Sequence, residues 1–257
     1  MSEKTKPKVV AVVQARLGSK RLPDKVLKEI LGKPMLWHLL NRLQFAEGLD
    51  DVVIATTHKE KDRPILDFAQ DFGFQHYAGE EEDLLQRFHG AANQTNADVI
   101  VRITADCPLI DPRILDEGID CYLRQRGEYE FVSIVKPTPT YPHGLDFEIF
   151  SFDLLERLFQ NIKDPFRREW FTTEVYENAS QYRLLCMQGA KDYSDIRLTV
   201  DHPEDFHLIQ FVFEKLYRPN QCFHLDEILK LREAFPERFK INQQYQRDAQ
   251  YFEILRK

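Results

Sequence analysis

The segment at 14–25 combines cations with a glycine and a hydroxyl group, directly after a valine-rich run at 8–14. The residues there that could do chemistry are Arg16, Gly18, Ser19, Lys20, Arg21 and Lys25. A triphosphate needs compensating positive charge and backbone N–H groups that it can approach closely, which a glycine permits. The segment therefore predicts a phosphate-binding loop, although a solvated basic turn would have the same composition.

Two familiar phosphate-binding motifs do not occur in this part of the chain. No G-x-G-x-x-G follows the valine-rich run. Gly32 and Lys33 precede Pro34 instead of Ser or Thr, and Leu27 stands where a Walker A motif requires glycine. Phosphates must therefore be held in another way, by the loop's own cations and backbone.

Two carboxylates lie at the ends of predicted strands, where parallel sheets bind their ligands. Asp106 lies just after the predicted strand at 98–104, and Asp201 lies just after the one at 196–200. Mg²⁺ in proteins is commonly bound by one or two carboxylates together with phosphate oxygens and waters. An Asp that precedes a helix can also cap it, so capping remains the alternative for Asp201. For Asp111, which precedes a proline and a predicted helix, capping is the favoured interpretation.

The elements that must position these groups alternate in type through the first half of the chain. Short β-branched runs predict strands at 8–14, 51–56 and 98–104. Helical periodicity predicts helices at 34–45, 62–72 and 83–94. This alternation is typical of βαβ units and of an α/β fold with a parallel sheet.

The second half is less regular. Strands are predicted at 131–135, 145–150, 183–187 and 196–200, and helices at 151–161, 166–178, 204–216 and 226–234. The proline-rich stretch at 137–142 predicts a loop or extended arm. No low-complexity linker separates the halves, so we expect a single domain over residues 1–257 with a small inserted subdomain.

Composition excludes several classes of protein. The net charge is −7 and the pI is about 5.7, which argues against a nucleic-acid partner that needs a broad basic surface. The four cysteines are far apart, as expected of reduced thiols. The first residues are polar, and no apolar run approaches the ~20 residues of a membrane span. We therefore expect a cytoplasmic protein with no membrane partner.

The basic loop belongs to a longer pattern, QARLGSKRLPDKVLxxILGKPML at 14–36. It is followed by EDLLQRF at 82–88, RITADCPLIDP at 102–112, YPHGLD at 141–146 and LTVDHPED at 198–205. Together these motifs resemble those of the sugar-acid cytidylyltransferases, and within them the spore-coat polysaccharide SpsF-type branch. Two positions depart from the family pattern: Asp24 stands where relatives usually have Gly, and Trp170 where they often have His.

The resemblance implies a Rossmann-like nucleotidyltransferase fold, a three-layer GT-A-like sandwich with a mostly parallel sheet and a small inserted arm. It implies transfer of CMP from CTP to a nonulosonate-like sugar acid, with Mg²⁺ as cofactor and release of pyrophosphate, for surface polysaccharide biosynthesis. The nucleotide would lie in the half at about 8–130, and the acceptor in the half at 131–257. The second half would also carry the homodimer contact, through an arm like that at 137–142.

The resemblance also assigns roles to single residues. Catalytic roles fall to Arg16, Lys25 and Asp106. The nucleotide would contact Gln14, Ala15, Arg16, Gly18, Ser19, Arg21, Lys25, Arg87 and Asp106. Metal ligation falls to Asp106 and Asp201, and acceptor binding to His143, Asp146 and Glu148.

Three other functions fit parts of the sequence. A nucleotidyltransferase with another acceptor or nucleotide would use the same loop and carboxylates. A glycosyltransferase that consumes a nucleotide sugar shares the broad fold but normally carries an Asp-x-Asp metal site, which Ala105-Asp106-Cys107 is not. A non-catalytic nucleotide sensor would not need a full set of cations and metal ligands.

Overall fold

Strands and helices alternate through the first half of the chain. The computed structural model describes residues 6–247. The elements of the first half are β1 (Val9–Gln14), β2 (Glu29–Ile30), β3 (Lys33–Pro34), α1 (Met35–Leu43), β4 (Asp51–Thr57), α2 (Arg63–Asp71), β5 (Gln75–Gly79), α3 (Leu84–Thr95) and β6 (Val99–Thr104). Short 3₁₀ turns lie at Lys25–Leu27 and Glu60–Asp62.

The second half adds helices and shorter strands. These are α4 (Pro112–Gln125), β7 (Phe131–Ser133), β8 (Phe147–Ser151), α5 (Phe152–Asn161), α6 (Pro165–Glu169), α7 (Phe171–Glu177), β9 (Leu184–Cys186), α8 (Pro203–Leu216) and α9 (Leu225–Ala234). A 3₁₀ turn at Pro236–Lys240 follows the last helix. None of the helices between residues 6 and 247 is long and apolar enough to cross a membrane.

Seven strands form one sheet in the order β5-β4-β1-β6-β8-β7-β9. β1 is parallel to both β4 and β6, whereas β8 is antiparallel to β6 and to β7. In this register Gln14, the last residue of β1, lies opposite Thr104, the last residue of β6. The loops that follow these two strands therefore leave the same edge of the sheet.

The sheet lies between two apolar layers. Val9, Ala11 and Val13 of β1 contribute to one core cluster, and Val10 and Val12 contribute to the other. All five are fully buried, so β1 has no solvated face. This explains why the strand is a continuous apolar run, and it confirms the predicted α/β sandwich with a mostly parallel sheet.

Three sequence-based assignments were wrong or incomplete. The stretch at 196–200 is not a strand, because its backbone N–H groups at Leu198 and Val200 bond to the carbonyl oxygens of His143 and Asp106 in two loops. The helix predicted at 166–178 is interrupted at Trp170, which has φ −116° and ψ 40°. β5 was missed because its sequence, QHYAG, contains no β-branched residue.

Candidate active site

Lys25 lies between the two candidate metal ligands. Its Nζ is 3.0 Å from Oδ2 of Asp106 and 3.0 Å from Oδ1 of Asp201, and it donates to the carbonyl oxygen of Val200 at 2.6 Å. The Lys25 side chain is only 11% exposed. Burial lowers the pKa of Lys25, but the charges of the two aspartates outweigh it, so the net pKa is raised. The structure thus brings all three predicted residues into one cluster.

Asp201 is surrounded by cations. Besides Lys25, it accepts from Arg197 Nη2 at 3.0 Å and forms an ion pair with Arg21 at 3.1 Å. Burial raises the pKa of Asp201, but the charges of Lys25, Arg21 and Arg197 outweigh it and hold the pKa well below its usual range. Asp201 is therefore an anion at neutral pH.

The capping alternative for Asp201 is wrong. The residue that caps α8 is His202, in a capping box with Asp205, and the carboxylate of Asp201 accepts from side chains instead. The capping interpretation of Asp111 is confirmed, since its side chain accepts from the backbone N–H of Arg113 at 3.0 Å.

The loop that carries Lys25 is fixed from inside by a residue that the sequence did not single out. Asp62 is completely buried, accepts from the backbone N–H of Leu17 at 2.6 Å and bonds to the hydroxyl of Thr57. Asp24, just before Lys25, adopts the left-handed conformation with φ 54°. Glycine takes this conformation freely and Asp tolerates it, so the backbone here suits the glycine that the family resemblance implies at this position.

Gly18 faces open space at the tip of this loop. A Cβ placed on it would meet only Nζ of Lys61, at 3.6 Å, among the residues that the structure describes. Ser19 stabilises the loop from within, because its Oγ accepts from the backbone N–H of Leu22 at 3.3 Å. The space beside Gly18 is what a closely bound phosphate would require.

We expect Gly18→Ala to leave the free energy of unfolding within about 0.5 kcal/mol of the parent, because the new methyl group meets no backbone. Its affinity for CTP should fall about tenfold, because the methyl group would stand where a phosphate approaches. Calorimetric titration with CTP, beside a urea unfolding curve, measures both quantities. Unchanged affinity would mean that phosphates do not bind at this position.

Arg16 and Arg87 share one carboxylate. Glu169 of α6 lies 3.3 Å from Arg16 Nη1 and 3.9 Å from Arg87 Nη2. Burial raises the pKa of Glu169 and outweighs the two cations, and in the part of the chain that the structure describes its Oε2 has no hydrogen-bond partner. Arg87 also donates to the carbonyl oxygens of Glu80 and Glu81. Glu169 was not predicted, because nothing in its local sequence shows that α6 folds against the basic loop.

A cleft of about 340 Å³ opens beside these arginines. It is lined by Lys59, Glu80, Glu81, Glu82, Asp83, Pro165 and Arg168. Arg168 donates to Asp83 at 2.8 Å, which attaches α6 to the start of α3. Four of the lining residues are acidic and none belongs to the basic loop at 14–25, so the cleft adjoins the arginines without extending the phosphate loop.

His143 and Asp146 are placed by a close backbone crossing. Gly144 has φ 110°, and a Cβ there would lie 2.3 Å from the backbone N of Thr199. Arg197 Nη1 donates to His143 Nδ1 at 3.2 Å, so the ring proton lies on Nε2, 3.6 Å from Asp146 Oδ2. Burial lowers the pKa of His143, which keeps the ring neutral. These two predicted acceptor residues therefore adjoin the Asp201 cluster through Arg197.

Glu148 has a different environment. It is 3% exposed, accepts from Arg102 Nη1 at 2.7 Å and from the Tyr176 hydroxyl at 3.1 Å. Arg102 also donates to Gln14 Oε1 at 3.1 Å. Arg102 thus links Glu148 of β8 to Gln14 of β1 within the sheet. Glu148 is buried there and is not exposed beside His143.

The donor set fits a magnesium ion that arrives with phosphates. Asp106 and Asp201 supply two carboxylates, and residues 6–247 contain no group of three or more His, Cys, Asp or Glu side chains that could hold a metal unaided. Mg²⁺ characteristically takes one or two carboxylates and completes its octahedron with phosphate oxygens and waters. The two aspartates are therefore suitable ligands for a metal–nucleotide complex.

A family profile described as cytidylyltransferase matches residues 10–252. The chain belongs to the cytidylyltransferase family. A solved cytidylyltransferase from Leptospira borgpetersenii is 32% identical, with a TM-score of 0.86 over 91% of this chain and 98% of that one. The cytidylyltransferase described here is thus an α/β nucleotidyltransferase that uses CTP.

Two further relatives carry more specific names. The spore coat polysaccharide biosynthesis protein SpsF of Bacillus subtilis is 29% identical over 215 residues, 80% of this chain and 87% of that protein. The 8-amino-3,8-dideoxy-manno-octulosonate cytidylyltransferase of Shewanella frigidimarina is 33% identical over 185 residues, 68% of this chain and 74% of that protein. This cytidylyltransferase is similar to both, which agrees with the resemblance found in its motifs.

Proposed function

We propose that this cytidylyltransferase is a cytoplasmic, Mg²⁺-dependent enzyme that transfers CMP from CTP to a sugar acid and releases pyrophosphate, for surface polysaccharide biosynthesis. The observation that carries the proposal is the cluster of Lys25, Asp106 and Asp201 at the edge of the sheet where β1 and β6 end. It joins the predicted phosphate loop to the predicted metal ligands. The sugar-acid substrate of the Shewanella relative supports the choice of acceptor.

The nucleotide half, at about 8–130, would bind the triphosphate through the basic loop. Arg16 is 45% exposed, so its guanidinium can exchange Glu169 for a phosphate. Backbone N–H groups around Gly18 would contribute further donors, and Arg87 would shape the adjoining loop. Charge stabilisation of this kind supplies most of the catalysis in phosphoryl and nucleotidyl transfer, which needs little covalent help from the protein.

Asp106 and Asp201 would hold Mg²⁺, which when bound supplies positive charge to the triphosphate and the leaving pyrophosphate. Lys25 neutralises these two carboxylates in the structure, and its ammonium would then be available to phosphate oxygens. In the reaction, a hydroxyl group of the acceptor loses its proton to solvent water, and its oxygen forms a bond to the α-phosphorus of CTP. The bond from that phosphorus to the β-phosphate oxygen breaks, and pyrophosphate leaves.

The acceptor half, at 131–257, would orient the sugar acid. His143 has no free lone pair, because Nδ1 accepts from Arg197 and Nε2 carries the proton. It is therefore a hydrogen-bond donor toward Asp146 or the substrate, and it is not a general base in this state.

We also propose a homodimer, although Tyr141 and Pro142 at the end of the arm are buried within the protomer.

We expect CTP with Mg²⁺ to raise the thermal midpoint of the protein more than ATP, GTP or UTP does. Binding to the native state alone stabilises it by about 2.7 kcal/mol at a hundredfold excess over Kd. Differential scanning fluorimetry with each nucleotide, with and without Mg²⁺, measures the effect. Equal shifts for all four nucleotides would leave a nucleotide site without cytidine specificity.

Pyrophosphate release separates the enzyme from its alternatives. The protein is incubated with CTP, Mg²⁺ and a panel of eight- and nine-carbon 2-keto sugar acids, and CMP conjugates are detected by mass spectrometry. CTP-dependent release with one of these acids supports the proposal. If the protein binds nucleotide but releases no pyrophosphate with any acceptor, a nucleotide sensor is favoured. If it consumes a nucleotide sugar instead, a glycosyltransferase is favoured.

A further inference from the structure

The residues at 242–247, here called the C-terminal strap, pass over the Asp201 cluster. Asn242 is buried and donates to the carbonyl oxygen of Arg197 at 3.1 Å and to Asp205 Oδ1 at 2.8 Å. Tyr245 stacks on the ring of His202, with centroids 3.6 Å apart. The strap is thus attached to the start of α8, immediately after Asp201.

Arg197 connects the strap to the candidate acceptor residues. Its guanidinium is 7% exposed and bonds to both oxygens of Asp205, to Asp201 and to His143 Nδ1. Each of these partners is held from another side as well. The C-terminal strap is therefore bound to a connected network of hydrogen bonds and ion pairs. Such a network restricts the movement of the side chains that contact it.

Arg247, the last residue of the strap, contacts this group of residues through Asp146. Its Nη2 donates to Asp146 Oδ1 at 2.6 Å, and Oδ2 of the same carboxylate faces His143 Nε2. The Nε and Nη1 atoms of Arg247 are buried, and neither has a hydrogen-bond partner among residues 6–247. Donors on a buried cation rarely stay unpaired in a native protein, because each costs free energy that water or a ligand would restore.

We propose that Arg247 binds the carboxylate of the acceptor acid. This inference rests on the proposed function, because it assumes that the acceptor is a sugar acid. A carboxylate only accepts hydrogen bonds and carries the charge that complements a guanidinium, so it satisfies the unpaired donors better than a sugar hydroxyl does. Asp146 acts as a positioning residue, since it fixes Arg247 through Nη2. His143, Asp146 and Arg247 are each 16–18% exposed, so this group borders solvent, and a carboxylate reaches the buried Nε and Nη1 atoms once the Arg247 side chain shifts.

The proposal explains how the reaction could select acids over neutral sugars. Arg247 reaches Asp146, which faces His143, and His143 reaches Asp201 through Arg197. A carboxylate held at Arg247 would therefore place the rest of the acceptor beside the candidate metal ligands. A neutral sugar of the same size would leave the guanidinium donors unpaired and would bind less tightly.

The test compares Arg247→Met and Arg247→Lys with the parent enzyme, using the whole chain of 257 residues. The probes are 8-amino-3,8-dideoxy-manno-octulosonate and the carboxamide made from it, each with saturating CTP and Mg²⁺. The parent is expected to prefer the acid by tenfold or more in kcat/KM. Arg247→Met should raise KM for the acid about tenfold with little change in kcat, and it should lose the preference for the acid over the amide. Arg247→Lys should keep part of the preference, because it keeps the charge.

Arg232→Met is the matched control, because Arg232 of α9 forms its ion pair with Asp195 and not with Asp146 or His143. It should behave as the parent does, and KM for CTP should be unchanged in every variant. A preference for the acid that survives in Arg247→Met overturns the proposal, as does a parent that does not distinguish acid from amide. If CTP protects the parent but neither probe is used or bound, this acceptor assignment fails while the nucleotide assignment stands. If CTP does not protect it, the proposed function itself fails.

Discussion

Asp201→Asn and Asp106→Asn are each expected to reduce the turnover number on the order of a thousandfold. Each change removes a full negative charge from a two-carboxylate magnesium site while it leaves an oxygen of similar position. The free energy of unfolding should fall by about 1–2 kcal/mol in each variant, because the change weakens the ion pair with Lys25 while the partly exposed amide oxygen can still accept. Activity titrated against Mg²⁺ should show a higher metal requirement for both variants.

The double variant should be scarcely worse than either single one, because residues that act as one unit are non-additive. Asp195→Asn is the control, since this exposed aspartate forms its ion pair with Arg232 and not with Lys25 or Arg197, so the change should not affect turnover. Normal turnover of Asp201→Asn at low Mg²⁺ would show that this carboxylate is not a metal ligand. The role of Asp201 would then be limited to its ion pairs with Lys25, Arg21 and Arg197.

Lys25→Met should reduce turnover by a hundredfold or more and also destabilise the fold. Without the ammonium, the carboxylates of Asp106 and Asp201 face each other with only the arginines near Asp201 to balance them. We expect a loss of about 2 kcal/mol, below that for fully buried pairs because both carboxylates are partly exposed. Lys20→Met, at an exposed position of the same loop, should leave both quantities near those of the parent.

The pH dependence of stability distinguishes this ion pairing from a general packing defect. The pKa of Asp201 is held below its ordinary value, so its contribution to stability is present above the unfolded pKa of about 3.9 and is lost as pH falls. The difference in unfolding free energy between parent and Lys25→Met should therefore be largest near neutral pH and shrink below about pH 4. Urea unfolding across this range measures it, and a constant difference would argue for packing instead.

The parts of the site that could be predicted from sequence depend on local rules. Arg16, Lys25 and Asp106 follow continuous apolar strands, and parallel strands bring their carboxyl ends to one edge. The register of β1 and β6 confirms that inference. The position of Asp201 could be inferred as well, although the stretch before it pairs with loops rather than with a strand.

The parts that could not be predicted depend on contacts between distant segments. Glu169 meets Arg16 only because α6 folds against α3, and Asp62 meets Leu17 only because the loops after β1 and β4 are adjacent. Glu148 was expected in the acceptor pocket, but a buried arginine on the neighbouring strand takes its carboxylate. In each case the deciding partner is more than 40 residues away, which periodicity and motif spacing do not encode.

The crossing at Gly144 limits how the substrate range of this enzyme could change. The backbone there lies so close to Leu198 and Thr199 that no side chain fits between them, and Asp201 follows two residues later. The loop bearing His143 and Asp146 therefore cannot shift without moving the aspartate as well. New acceptors would have to be accommodated by exchanging side chains around a fixed framework, so homologues with different substrates should superimpose closely at this crossing.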